Sequence, residues 1–457
     1  MLRWNNHTRT LEQEEHHFEL QDVAEANLFR DTFPYVEVPR IPFDHRRVPM
    51  WPPEDIWITD TTFRDGQQAR PPYTAEQIVQ LYKYLHDLGG PNGVIRQSEF
   101  FLYTDKDKDA VRRCLELGYR YPEITGWIRA TASDFKLVKE MGLRETGILT
   151  SCSDYHIFLK LGKTRKQALD QYLGIVKAAI ELEIIPRCHF EDITRADFLG
   201  FVVPFAQALM RLAEESGRPV KIRCCDTLGL GVCYPGSSVP RCVQGVIYGL
   251  IQYANVPSAW LEWHGHNDFY KVVTNAGTAW LYGCSAANGT LLGIGERTGN
   301  PPIEALAIEY TALRGDPNGM DLSLITQVAD YYRNVIGYEP PRSQPYVGAD
   351  FNMTSAGIHA DGLRKNPEIY TIFDTGRILG VQPRIGITDK SGVSGIAAWV
   401  EFALHEKGVK ISKDHPGVVA MKDAVDRQYE ACRLTAMSDT ELLDLARYYL
   451  PECFKAE

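Results

Sequence analysis

A chain of 457 residues with 44% hydrophobic and 24% charged side chains has an ordinary globular composition and room for one large domain plus appendages. Its 49 basic against 59 acidic residues leave a formal charge of −10, which argues against nucleic acid as a partner and requires any anionic substrate to meet local positive charge. No apolar run approaches the roughly 20 residues of a membrane span, the start "MLRWNNHTRTLEQEEHH" lacks a signal-peptide core, and ten cysteines without a CxxC pair point to reduced thiols in a cytoplasm.

Residues 1–54 read as an extension: an acidic helical stretch around 11–30, then an extended segment punctuated by Pro39, Pro42, Pro49, Pro52 and Pro53. From 55 to 315 eight short apolar segments follow one another: "DIWITD", "NGVIRQSEFF", "EITGWIRA", "ETGILTS", "EIIPRCHF", "VKIRCCDT", "AWLEWHGH" and "YGCSAANG". Helical patterns such as "TAEQIVQLYKYLHDLG" separate them, so the spacing predicts an α/β fold, a (β/α)8 TIM barrel. A doubly wound open sheet is the second choice, but no GxGxxG follows the first strand. Residues 316–395 are expected to form a linker or subdomain that contributes to the active site, with an amphipathic helix in "DLSLITQVADYYRNVIG" and a break at "YEPPRSQPY". Residues 396–457 read as a helical region.

The chemistry concentrates at predicted strand ends. In "LEWHGHND", His264 and His266 are two residues apart and on a strand point to one side. Barrel catalytic groups gather at C-terminal strand ends, where Asp65 of "TTFRDGQQ" offers an oxygen ligand. Two imidazoles and a carboxylate suit Mg²⁺, Mn²⁺, Co²⁺ or Zn²⁺ without choosing between them. Such a site can chelate a 2-oxo acid and polarise its carbonyl, with Arg64 steadying the oxyanion. The plainer alternatives, hydrogen-bonded surface histidines and an Arg64–Asp65 surface contact, weigh less because the three ligands share one predicted barrel mouth. Glu99, Arg129, Thr131, Ser153, His156, Arg187, His189, Glu191, Asp226 and Thr227 sit at the other strand ends. "NGTLLGIGERTGNPP" packs four glycines among Glu296, Arg297 and Asn300.

"TTFRDGQQ", "HGHND" and "NGTLLGIGERTGNPP", in this order, resemble the DRE-TIM metallolyase superfamily, and within it the Claisen-condensing acyltransferases. The resemblance covers roughly residues 55–400 and implies a divalent metal held by Asp65, His264, His266 and Asn300. It implies a substrate-binding Arg64, a carboxylate-binding Thr227, and a base, His359, in "TSAGIHADGLRKNPEIY", assisted by Tyr370. Glu296 joins these as a fourth catalytic candidate. Read without the resemblance, His359 is a solvated histidine of a Gly-rich loop. The absence of a Cys from "GIGERTG" argues against a lyase of the same superfamily, and "FRDGQQ" departs from its carboxyltransferases. About 60 residues after position 395 leave no room for the regulatory domain of a leucine-responsive isopropylmalate synthase.

"PRCHFED" is similar to the "RFSxED" of homocitrate synthases, which implies that Arg187 pairs with the far carboxylate of a dicarboxylic 2-oxo acid. His189 replaces the Ser of that motif and alters the pocket. The extension and "GGPNGVIRQSEFF" look most like the Re-type citrate synthases, which implies acetyl-CoA and oxaloacetate as substrates, Mn²⁺, Co²⁺ or Mg²⁺ as the metal, and a homodimer. The alternative is a homocitrate or isopropylmalate synthase-like enzyme.

Overall fold

The structure, a computed structural model, describes the strand pair Leu2–Asn5 and Thr10–Gln13, residues 18–355 and residues 357–454. These fall into two compact units, Met1–Asp321 and Leu322–Glu457.

Eight parallel strands close the first unit into a barrel: β1 (Trp57–Asp60), β2 (Ile95–Phe101), β3 (Glu123–Ile128), β4 (Glu145–Ser151), β5 (Ile185–Glu191), β6 (Lys221–Asp226), β7 (Leu261–Gly265) and β8 (Ala286–Gly289), with β8 pairing β1. The helices between and after them are α1 (Ala75–Gly89), α2 (Asp105–Glu116), α3 (Phe135–Glu140), α4 (Arg165–Glu181), α5 (Val203–Ser216), α6 (Val243–Ala254), α7 (Val272–Leu281) and α8 (Ile303–Arg314). The (β/α)8 expectation holds: seven of the eight quoted segments contain a whole barrel strand, and "EIIPRCHF" holds all of its strand but Glu191. Local chemistry supports the boundaries: Thr74 and Gln77 form a reciprocal capping box on α1, as do Thr164 and Gln167 on α4.

Register stacks the barrel interior in layers. His264 is level with Cys225, and Cys225 with Glu191, across β7, β6 and β5. One layer down, Glu262 is level with Arg223, and Arg223 with His189. On the other side His264 pairs with Asn288 and Asn288 with Thr59.

Among the described residues, the helix expected around 11–30 does not form. Thr10–Gln13 pairs antiparallel with Leu2–Asn5, residues 14–17 lie outside the described residues, and 18–30 run without regular structure along the barrel. Tertiary bonds replace helical ones there: Gln21 N donates to the Gly200 carbonyl, and the wholly buried Arg165 donates to the Gln21 carbonyl while paired with Asp154 and Asp197. The proline-rich part is extended, with Asp44 and His45 bonded to Gly236 and Trp51 to Leu281.

The second unit is mainly helical: α9 (Leu324–Tyr331), α10 (Gly357–Lys365), α11 (Thr375–Ile378), α12 (Val393–Ala403), α13 (Pro416–Glu430) and α14 (Asp439–Tyr449). Ile396, Trp399, Val400, Met421, Leu442 and Ala446 anchor its core. His359 lies on helix α10, not in a loop, because Ala360 and Leu363 of the same segment are buried in that core and hold it helical.

Candidate metal centre

Asp65, Arg64 and Gly66 lie in a single wide helical turn, Thr62–Gly66, directly after β1. Its amides converge on one acceptor: the Thr61 carbonyl receives Arg64 N (3.1 Å), Asp65 N (2.8 Å) and Gly66 N (3.2 Å). That turn, rather than any freedom of Gly66, aims Asp65 inward. The Asp65 carboxylate is buried and meets His264 Nε2 at 3.1 Å and His266 Nε2 at 3.7 Å. Among the described residues these three form the one cluster of His, Cys, Asp and Glu whose ligand atoms converge tightly enough for a metal ion.

Asn300 lies beside this cluster. Its Nδ2 donates to the Gly265 carbonyl (3.0 Å) and lies 3.4 Å from Asp65, while its Oδ1 is buried with no hydrogen-bond partner among the described residues. The Gly-rich loop packs closely around this side chain: a Cβ on Gly295 would stand 2.0 Å from Asn300 Oδ1, and Gly299 takes φ +86° with the Gly293 carbonyl where its Cβ would go. Two donors bound at about 2.1 Å and at right angles sit about 3.0 Å apart, so the Asp65–His264 separation suits adjacent ligands of one ion. An orphaned carbonyl oxygen, two imidazoles and a carboxylate fit a divalent cation.

Electrostatics agree. Burial alone pushes the Asp65 carboxyl up, but the His264 imidazole 3.1 Å away and the Arg64 charge outweigh burial and hold it well below the usual carboxylate range. Burial lowers His266 to about 4, keeping a neutral ligand nitrogen at physiological pH. Arg64 lies 3.3 Å from Asp65 and stacks on Trp127, 4.7 Å from the ring centre, and its Nε is buried without a hydrogen-bond partner.

Beneath this centre is a buried ion cluster. Arg223 binds Glu262 (2.5 Å) and Glu99 (2.7 Å); Arg187 reaches Glu262 (3.2 Å), Glu145 (3.4 Å) and Glu99 (3.6 Å); Lys221 binds Glu145 (2.5 Å). The guanidinium of Arg187, expected to meet a substrate carboxylate, is thus engaged by three protein carboxylates. His189 faces Glu99 at 3.3 Å, and burial with the Arg223 charge lowers it to about 3. Thr227 is half-buried at the end of β6, its Oγ1 accepting Asp192 N at 2.8 Å. Glu296 is exposed on the Gly-rich loop, outside the buried cluster. In the second unit His359 and Tyr370 are exposed and lie tilted against each other, ring centres 4.5 Å apart at an interplanar angle of 42°. Cys225, level with His264, is a buried thiol that burial pushes well above its ordinary pKa.

The family described as HMGL-like matches residues 55–331, the whole barrel with its two His and one Asp. The chain belongs to this family. It is 58% identical, over its full length and 73% of the relative's, to a citrate (Re)-synthase of Syntrophus aciditrophicus. It is 52% identical, over 95% of itself and 96% of the relative, to a citrate (Re)-synthase of Clostridium kluyveri. Among solved structures it is similar to a Bacillus subtilis HMG-CoA lyase, at 18% identity and a TM-score of 0.51 over 64% of this chain and 97% of that one, a likeness of fold.

For this HMGL-like barrel, the sequence placed Asp65, His264 and His266 at one barrel mouth, where the structure clusters them, but did not show what surrounds them. Asn288, Thr59, Glu262, Arg223 and Trp127 all touch the site or its floor. Alternation was the available signal, since Glu262 and His264 share one strand face, as do Arg223 and Cys225.

Proposed function

We propose that this chain catalyses the Claisen condensation of acetyl-CoA with oxaloacetate to give citrate and CoA, the activity carried in the name of its relatives. The observation that supports it most is identity of 58% over the full chain together with an Asp65–His264–His266 cluster whose fourth member, Asn300, keeps a free buried oxygen. Asp65, His264, His266 and Asn300 would hold a divalent cation, which when bound would supply Lewis acidity for a keto group. Arg64, braced by Trp127, holds an oxygen of the oxo acid as negative charge develops. The Thr227 hydroxyl contributes at a carboxylate. His359 takes the methyl proton of acetyl-CoA with Tyr370 beside it, and Glu296 is a further proton-transfer candidate. The resulting enolate carbon bonds the keto carbon, and water then cleaves the thioester to release CoA and citrate. In this proposal Arg187 and His189 form the floor that limits the length of the oxo acid, because their charges are already met by Glu262, Glu145 and Glu99. The enzyme works in the cytoplasm as a homodimer.

The test is CoA release by the Mn²⁺-loaded chain with oxaloacetate, 2-oxoglutarate, pyruvate and 2-oxoisovalerate, the product's configuration being traced from labelled acetyl-CoA. Oxaloacetate is expected to lead in kcat/KM by at least about tenfold. A preference for 2-oxoglutarate would make the chain a homocitrate synthase instead.

A further inference from the structure

We infer that Asn288 is a positioning residue that fixes which nitrogen of His264 faces the metal, and that Thr59 in turn fixes Asn288. The inference rests on the metal centre proposed above and assigns a role to side chains outside its ligand set.

The argument is one of donors and acceptors. Asn288, wholly buried at the end of β8, places Nδ2 2.9 Å from Thr59 Oγ1 and 3.3 Å from the Thr59 carbonyl. A carbonyl only accepts, so this end of the amide must be the NH₂. The Thr59 hydroxyl hydrogen is itself committed to Glu262 Oε1, an oxygen of a carboxylate that both Arg187 and Arg223 pair. Thr59 Oγ1 therefore accepts from Asn288 rather than donating to it. Both constraints turn Asn288 Oδ1 toward His264 Nδ1, at 2.7 Å. An amide oxygen only accepts, so Nδ1 carries the hydrogen. His264 Nε2 is left to present its lone pair 3.1 Å from Asp65 Oδ2. Two electron-rich atoms at that separation need a cation or a shared proton between them, and the metal meets the need. The relay runs Glu262, Thr59, Asn288, His264 and ties the ligand's orientation to the buried ion cluster.

The test measures Mn²⁺ affinity of the chelator-stripped chain by calorimetry, with circular dichroism to check folding. Asn288→Ala is expected to weaken binding by about 10–100-fold, and Asn288→Asp, which keeps the acceptor for Nδ1–H, to recover much of it. In the Zn²⁺-loaded wild type, ¹⁵N-histidine NMR is expected to find His264 protonated on Nδ1 and slow to exchange that proton. Asn288→Ala binding within about twofold of wild type, or Nδ1 as the metal-bound nitrogen, overturns the inference. If the Ala variant does not fold, the wild-type NMR result decides alone. A wild type that binds no Mn²⁺ overturns the metal centre as well, whereas wild-type binding with an indifferent Ala variant overturns only the role of Asn288.

Discussion

Arg223→Met tests the ion cluster under the metal centre. Three carboxylates, Glu99, Glu145 and Glu262, face three cations, Arg187, Arg223 and Lys221, while His189, lowered to about 3, is neutral, so the cluster sums to zero charge. Removing Arg223 leaves one uncompensated buried carboxylate, a defect of about 3–5 kcal/mol. The deficit is also expected to depend on pH. In the wild type His189 is forced neutral, so the unfolded chain, with a histidine pKa near 6.5, binds the extra proton and the wild type loses stability as pH falls below that value. Without the Arg223 charge, and with Glu99, 3.3 Å away, left only its longer contact to Arg187, the folded pKa of His189 rises. A raised folded pKa retains stability at low pH, so the variant escapes that loss. Its deficit should shrink by about 1 kcal/mol between pH 7.5 and 5.5. Guanidinium unfolding of both chains, followed by circular dichroism at the two pH values, reads this directly. A deficit below about 1 kcal/mol, or one that does not change with pH, would refute a neutral, mutually compensated cluster. The double variant Arg223→Met/Glu99→Gln restores the charge sum and should be more stable than Arg223→Met.

Asp60, buried and raised to about 6 by that burial, should cost the wild type about 1.4 kcal/mol of stability per pH unit as pH rises from about 4 to 6, after which the cost levels off. Asp60→Asn should remove that slope, and equal pH profiles for the two chains would contradict it. Gly295→Ala puts a Cβ 2.0 Å from Asn300 Oδ1, so it should weaken Mn²⁺ binding by more than about tenfold at unchanged circular dichroism. Trp127→Leu removes the surface on which Arg64 rests, a loss of about 0.5–2 kcal/mol read as a roughly 2- to 30-fold rise in KM for the oxo acid; an unchanged KM would detach Arg64 from substrate binding.

Linear order was enough to determine the barrel and to bring Asp65, His264 and His266 to one end of it. Eight strand–helix units are legible because apolar runs and turns recur locally, and Asp65, His264 and His266 are legible because strand ends in such a barrel converge. The helix misplaced around 11–30 and the loop assigned to His359 show where that legibility stops, since acidic side chains or glycines in sequence do not reveal what a segment will pack against. Arg187 is the sharper case. As a strand-end arginine it looked free to meet a substrate carboxylate, but Glu145 reaches it from the neighbouring strand, and the curling of the sheet brings Glu99 and Glu262 onto it from strands that do not pair with its own. Closure of the sheet sets Asn288 of the last strand between His264 of the seventh and Thr59 of the first. Ligand identity is a property of local motifs and periodicity. Ligand orientation and charge balance depend on pairs 24 to 229 residues apart, which exist only once the barrel has closed.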